Sequence, residues 1–174
     1  MHNKTASIQK LLTRLQESTF IAEVFPINAV DEIATISGFR LGRTQRVDVP
    51  TEEINAALGQ VVYLLCVQAH HLGYVFDKCY LHAQGAFSKI SLATDRNTKY
   101  ELYLPSSEDR YNRALTMLLE TVNLFVTQHL VKYRKLLDGK EVQLYPIEGD
   151  KIGNSSIRYS SESLEQWTRA CKCL

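Results

Sequence analysis

Apolar positions follow two alternating rhythms along the chain, and the switches between them mark out its elements. Residues 4–18, "KTASIQKLLTRLQES", place Ile8, Leu11 and Leu15 at a/d-like spacing with Leu12 alongside. About two heptads are too few to hold a lone helix in water. This stripe must therefore pack on the rest of the chain or pair with another helix. The next stretches, "FIAEVFPINAV" and "DEIATISGFRLG", are rich in β-branched and aromatic residues and read as strands, with Asn28 and Asp31 near a turn. Pro26 suits a strand edge or end, Gly38 a bulge and Gly42 the strand exit. The rhythm then lengthens. In "VPTEEINAALGQVVYLLCVQAHHLG", Thr51 is the expected N-cap, and Glu52 and Glu53 favour the positive helix start. Ile54, Ala57, Leu58, Val61, Leu65, Ala69 and Leu72 form one apolar face, and Gly73 is the stop.

The alternation recurs twice. "KCYLHAQGAFSKISLA" and "KYELYLP" read as strands, with Gly85 and "TDRNT" as turns. After Pro105, Ser106 or Ser107 caps a second helix whose buried side runs from Tyr111 through Ala114, Leu115, Leu118, Val122, Phe125, Leu130 and Tyr133 to Leu137, closed by "DG" at 138–139. "EVQLYPIEGDKIGNSSIRYSS" reads as a hairpin. A third helix follows from about Ser161, with Leu164, Trp167, Ala170, Cys171 and Leu174 on one face. Expected caps at 51, 107 and 161 give a near-constant period of strands followed by a helix. Each unit alone leaves a sheet face and a helix stripe in water, and packing three around one interior removes both costs. The predicted fold is α+β: three β-sheet–α-helix repeats with antiparallel sheets over 19–174, preceded by an N-terminal helix over 1–18.

Composition narrows the function classes. Twenty basic against nineteen acidic residues give a formal net charge of +1, which argues against a general grip on nucleic acid. The longest apolar run, Val61 to Val67, is too short to cross a bilayer, so the expectation is a soluble protein, with surface contact to a membrane left open. Cys66, Cys79, Cys171 and Cys173 form no C-x-x-C pair, and the N-terminus has no signal segment. Reduced thiols in a cytosolic setting fit better than a disulfide framework.

The motifs of catalysis are missing. The chain has no G-x-S-x-G, G-x-x-x-x-G-K-[ST], H-E-x-x-H or G-x-G-x-x-G, and "GDKIGNSS" at 149–156 suits a hairpin turn. Cys66 and His70, four apart on the first long helix, have the spacing to touch one metal ion, with His71 and Cys79 near in sequence. Zinc wants four ligands, however, and a cysteine on an apolar face more commonly packs, so no metal site and no cofactor is expected. Asp109, Arg110 and Arg113 at the start of the second helix read as a solvated face, or else as a contact for lipid headgroups.

The most specific text is "GFRLGR" at 38–43, a spacer containing Val-Pro, and "EINAALGQ" at 53–60. Together with "EQWTRACKCL", "YELYLP" and "LYPIEGDKI", this pattern resembles the beclin family, autophagy-related non-catalytic subunits of the class III phosphatidylinositol 3-kinase complex. The similarity runs from about residue 18 to the end. It implies a C-terminal globular domain of three β-sheet–α-helix repeats preceded by a coiled coil, in agreement with the period read independently. Within the motif, Phe39 and Leu41 are expected to seat the strand, Ile54, Ala57 and Leu58 the helix, and Asn55 and Gln60 to satisfy backbone groups at the junction. Ala56, Ala57 and Gly59 permit close approach of helix and sheet. Gly42, Glu53 and Trp167 complete the structural motif, leaving Arg40 and Arg43 for a partner or an anionic surface.

Two departures from the family stand out. Relatives carry an aromatic, membrane-docking loop before the second helix, whereas here "LYLPSSEDRY" has Tyr103 and Tyr111 flanking a short, polar, acidic tip. Direct insertion through that loop would lack the apolar area that drives it. Relatives also continue past "CKCL", so the face of Leu164, Trp167, Cys171 and Leu174 is expected to be finished by more chain or by a partner. By resemblance, the expected partners are a lipid-kinase catalytic subunit, a pseudokinase-like regulatory subunit and a coiled-coil partner subunit, the last through Ile8, Leu11, Leu12 and Leu15. The expected location is cytoplasmic and peripheral to endosomal or autophagosomal membranes, with no nucleic acid bound. The rival reading is a kinase-independent peripheral module that binds anionic lipid through Arg40, Arg43, Arg110 and Arg113, with Tyr103 and Tyr111 beside them.

Overall fold

The computed structural model of the chain describes residues 20–30, 32–133 and 145–174, with side chains left aside at 129–133. The expected stripe Ile8–Leu15, the tail of the second helix at Leu137 and the "DG" stop at 138–139 lie outside the described residues, as do the side chains of Leu130 and Tyr133. Three antiparallel three-stranded sheets follow one another: β1 (Ile27–Val30), β2 (Ile33–Ile36) and β3 (Phe39–Leu41); β4 (Cys79–His82), β5 (Lys89–Leu92) and β6 (Lys99–Glu101); β7 (Ile147–Glu148), β8 (Lys151–Ile152) and β9 (Ser155–Ser156). After each sheet comes a helix: α1 (Thr51–Leu72), α2 (Glu108–Tyr133) and α3 (Leu164–Cys173). The α+β class and the alternation predicted from the sequence are both present.

Local chemistry explains most boundaries, and it corrects several expectations. Residues 20–24 are helical, so the first strand begins only after Pro26. Asn28 lies within β1, opposite Thr35. Ile36 pairs with Phe39 across a two-residue turn in which Ser37 and Gly38 both have positive φ, 51° and 82°. Gly38 is therefore part of a primed hairpin turn, whose twist matches the strands, and not a bulge. Thr51 is the first helical residue of α1, and Pro50 occupies the cap; its carbonyl accepts from the Glu53 and Ile54 amides. Gly73 closes α1 in the left-handed conformation, as predicted. Ser107 caps α2, with its carbonyl accepting from the Tyr111 amide and its hydroxyl 3.5 Å from the Arg110 amide. The third helix starts two to three residues later than expected, with Ser163 as its cap. The stretch before it is a three-stranded sheet of two-residue strands and not a simple hairpin. Observed caps at 50, 107 and 163 are 57 and 56 residues apart, so the repeat is more even than the sequence indicated.

One interior serves all three units. It runs from Ile33 and Leu41 through Ile54, Leu58 and Val62, then Ile90 and Leu102, then Tyr111, Leu115 and Leu118, to Ile157 and Trp167, each of these at most 3% exposed. Each helix packs on the sheet of its own repeat and also touches the sheet of the next: α1 reaches β4, α2 reaches β7, and α3 returns to β2 and β3. The packing order is therefore a closed ring. Burial of the apolar stripes supplies the driving force at about 25 cal/mol per Å². Three small sheets could not hold themselves together without it.

Candidate functional site

The "GFRLGR"/"EINAALGQ" motif forms the junction of β3, α1 and α3, and nearly every polar group in it is consumed internally. Arg40 forks onto Glu53: its backbone amide and Nε donate to Oε1 at 2.9 and 2.7 Å, and its Nη2 donates to Oε2 at 2.8 Å. This bidentate geometry holds the Glu53 carboxyl below, and the Arg40 guanidinium above, their ordinary pKa values. Arg43 wraps the following loop, donating to the Val49 carbonyl and to Thr51 Oγ1, with the exposed Asp48 carboxylate 3.2 Å away. Leu41 seats the strand at 3% exposure, but Phe39, expected to share that task, is 39% exposed. It ends the cross-strand row Ile27–Ile36–Phe39, where only the middle residue is covered on both sides. Gln60 Oε1 lies 3.4 Å from Ser37 Oγ and fastens the hairpin turn.

Two glycines of the motif are steric requirements. A Cβ on Gly59 would sit 2.2 Å from the Gly85 carbonyl oxygen, so α1 rides directly on the turn of the second sheet. Gly42 combines φ +137° with contact to Thr168 on α3, where a Cβ would lie 2.6 Å from Thr168 Cγ2.

A second feature of the ring escaped sequence reasoning. Asn55 of α1 donates from Nδ2 to the Leu104 carbonyl at 2.6 Å and accepts from the Leu104 amide at 2.8 Å. Asn112 of α2 does the same for Tyr159, at 3.0 and 2.6 Å. Thr168 of α3 completes the cycle on Arg43: its Oγ1 accepts from the Arg43 amide at 2.9 Å and donates to the Arg43 carbonyl at 2.5 Å. All three residues stand five positions after their helix cap, are nearly buried, and clasp the backbone just beyond the last strand of the next repeat. An amide side chain offers one donor and one acceptor side by side, so it replaces a missing β-ladder partner for a backbone leaving a sheet. A sequence signal existed: a polar residue recurs at the same register on three otherwise apolar helix faces. Asn55 was expected to serve backbone groups at its own junction, whereas it serves those of the following repeat.

The remaining candidates are scattered. Tyr111, expected at an anionic or membrane surface, is fully buried; its ring lies 5.8 Å from Tyr159, and Tyr159 in turn meets Trp167 edge-to-face at 5.1 Å. Position four of α2 points inward, as the apolar spacing that begins the helix's buried side at Tyr111 predicts, and not toward a surface. Arg110 donates to Glu101 at 2.9 and 3.2 Å and to the Lys99 carbonyl, and its guanidinium lies over Tyr100. Arg113 is exposed. Tyr103 is half-buried, its ring edge-on to Phe87 at 5.3 Å. The expected cations thus do not converge: Arg40, Arg43 and Arg110 are each tied to a carboxylate within the fold.

Chemistry is equally dispersed. The His70 and His71 rings meet edge-on at 6.1 Å, and no group of three or more metal-binding side chains occurs among the described residues. His82 Nε2 lies 3.0 Å from Ser91 Oγ, a nucleophile–base distance, yet Ser91 has no solvent exposure and no substrate can reach it. Burial, with Lys99 and Lys89 nearby, lowers the His82 pKa. A cavity between β4 and α2, bordered by Tyr74, Lys78, Cys79 and Thr121, has about 10 Å³ of space, room for one water. Among the described residues, no helix is long and apolar enough to cross a membrane.

A family model for the Apg6 BARA domain matches residues 15–174. Over 99% of its length the chain is 29% identical to Beclin-1 of Xenopus laevis, covering 41% of that protein. It is 32% identical to a Beclin-1-like protein of Arabidopsis thaliana over 94% of the chain and 33% of the relative. To vacuolar protein sorting-associated protein 30 of Gibberella zeae it is 31% identical, over 97% of the chain and 40% of the relative. The chain therefore spans about two-fifths or less of each of these relatives.

Proposed function

The chain belongs to the Apg6 BARA domain family, and from that premise we propose that it is a non-catalytic scaffold and regulatory module of a class III phosphatidylinositol 3-kinase complex, acting in autophagy and vacuolar or endosomal sorting. The observation that carries this reading is the continuous family match over residues 15–174, within which the most distinctive motif is spent on holding the fold and not on a reaction. The proposed partners are a lipid-kinase catalytic subunit, a pseudokinase-like regulatory subunit and a coiled-coil subunit, the last reached through Ile8, Leu11, Leu12 and Leu15. The module would work at the cytoplasmic face of endosomal or autophagosomal membranes.

Affinity capture of the chain from its source cells, followed by mass spectrometry, tests the proposal. Recovery of a lipid-kinase catalytic subunit is the expected outcome. A folded chain that recovers none of these subunits would count against it. The rival reading, a kinase-independent lipid-binding module built on Arg40, Arg43, Arg110 and Arg113, is weakened because the first three are committed to Glu53, Asp48 and Glu101, which leaves Arg113 as its exposed cation.

A further inference from the structure

All residues of β1, Ile27–Val30, are exposed, although the strand beside it is buried at Ile33, Thr35 and Ile36. The register fixes where the backbone groups of β1 point. The Ser37 amide donates to the Pro26 carbonyl at 2.9 Å, and Asn28 stands opposite Thr35 and Val30 opposite Ile33. Bonded and non-bonded positions alternate along an antiparallel pair. Asn28 and Val30 therefore spend their amides and carbonyls on β2, while those of Ile27 and Ala29 point off the sheet. Among the described residues, no backbone group answers them.

Three other sheet edges are closed. At β3 the Glu53 carboxylate accepts from the Arg40 amide, at β6 Arg110 donates to the Lys99 carbonyl, and β4, with Cys79 and Leu81 buried, lies against α1. The β1 segment INAV also lacks the lysine, proline or bulge that blunts an exposed edge. Apolar side chains flank it on both faces. Ile27, 65% exposed, shares its row with the half-exposed Phe39, and Val30, 52% exposed, lies on the opposite face. Phe20 and Val24 are exposed on the helical turn that leads in. A carboxylate stands beyond each end: Glu23 and Glu32 are exposed and take part in no ion pair among the described residues.

We infer that the free edge of β1 is a strand-addition site, taking an extended β-branched segment of a partner protein that carries basic residues at both its ends. Donors and acceptors at alternate positions select an extended chain over a helix, whose own amides and carbonyls are already paired. Uncovered apolar side chains on both faces select apolar neighbours, and Glu23 and Glu32 select cations beyond them. A second copy of this chain fits poorly, because twofold antiparallel pairing about Asn28 would set the Glu32 end of each strand against the Glu23 end of the other.

The probe is a soluble peptide of alternating valine and threonine with lysines at both ends, titrated to millimolar concentration into the isotope-labelled 174-residue chain. In the free chain the Ile27 and Ala29 amides should exchange with deuterium quickly and those of Asn28 and Val30 slowly. Peptide should shift and protect the first two. Binding should be lost when the valine and threonine amides of the peptide are N-methylated, and weakened severalfold when its lysines are replaced by glutamates. Glu23→Lys/Glu32→Lys should reverse that preference. Ala29→Pro removes one outward donor without touching the bonds to β2, and should weaken binding at least about fivefold. Native Trp167 fluorescence certifies that each variant is folded. Protection of Ile27 and Ala29 in the free chain would mean that another part of the chain covers the edge, and would overturn the inference. So would an absence of shifts at these two amides, or equal binding by the N-methylated or the glutamate-ended peptide. A chain that binds the peptide but captures no kinase subunit refutes the complex and leaves the edge standing; one that captures the subunits but not the peptide does the reverse.

Discussion

Replacing Asn112 by alanine is the sharpest test of the ring. The substitution removes a donor and an acceptor at once and strands the amide and carbonyl of Tyr159, which Asn112 holds at 2.6 and 3.0 Å. Each orphaned buried group costs about 1–3 kcal/mol. Asn112 is 5% exposed, so water cannot fully substitute. The loss should therefore fall near 2–4 kcal/mol, a large share of the roughly 5–15 kcal/mol that holds a domain together. The readout is built in: Trp167 is the single tryptophan, is fully buried, and meets Tyr159 edge-to-face, the residue whose backbone Asn112 holds. In urea, with a slope of about 2 kcal/mol per molar, the fluorescence midpoint should fall by about 1–2 M without a change in slope. Asn97→Ala, on an exposed turn, serves as the control and should stay within about 0.5 kcal/mol of wild type. Asn55→Ala should match Asn112→Ala, since it strands Leu104 in the same way. A midpoint for either clasp variant indistinguishable from the control would refute the idea that these side chains close the ring.

Three further outcomes follow from the same geometry. Gly59→Ala improves intrinsic helix propensity by about 1 kcal/mol yet should lower the melting temperature, because its methyl group meets the Gly85 carbonyl; a neutral or stabilising result would contradict that close approach. Glu53 is held below the ordinary glutamate pKa by Arg40, so its contribution to stability is complete above the unfolded-state value and fades as the pH falls through the folded one. Arg40→Met should accordingly be less stable than wild type at neutral pH, with the gap narrowing below about pH 4 in parallel urea titrations; a gap that persists in acid would point to lost packing instead. Burial pushes the Cys171 thiol well up while Cys173 keeps partial exposure, so timed alkylation read by mass spectrometry should modify Cys173 in the native chain and Cys171 only after unfolding.

How much of this was written in the sequence differs between levels. Period-two and period-3.6 patterning fixed the type and order of the sheets and helices, because the apolar face of each element is a local property. The repeat spacing and the family motif were legible for the same reason, as was the structural purpose of Leu41, Ile54, Ala57, Leu58 and Gly59. What a polar side chain meets was not. Arg40, Arg43 and Arg110 looked available, and Tyr111 fitted both a buried helix face and a surface, because periodicity does not say which neighbouring groups claim or cover a side chain. Asn55, Asn112 and Thr168 show the point most plainly. Each partner backbone lies 47 to 125 residues away along the chain. Only closure of the ring brings donor and acceptor together, and periodicity, which records which side of a helix avoids water, carries no record of whose backbone waits on that side.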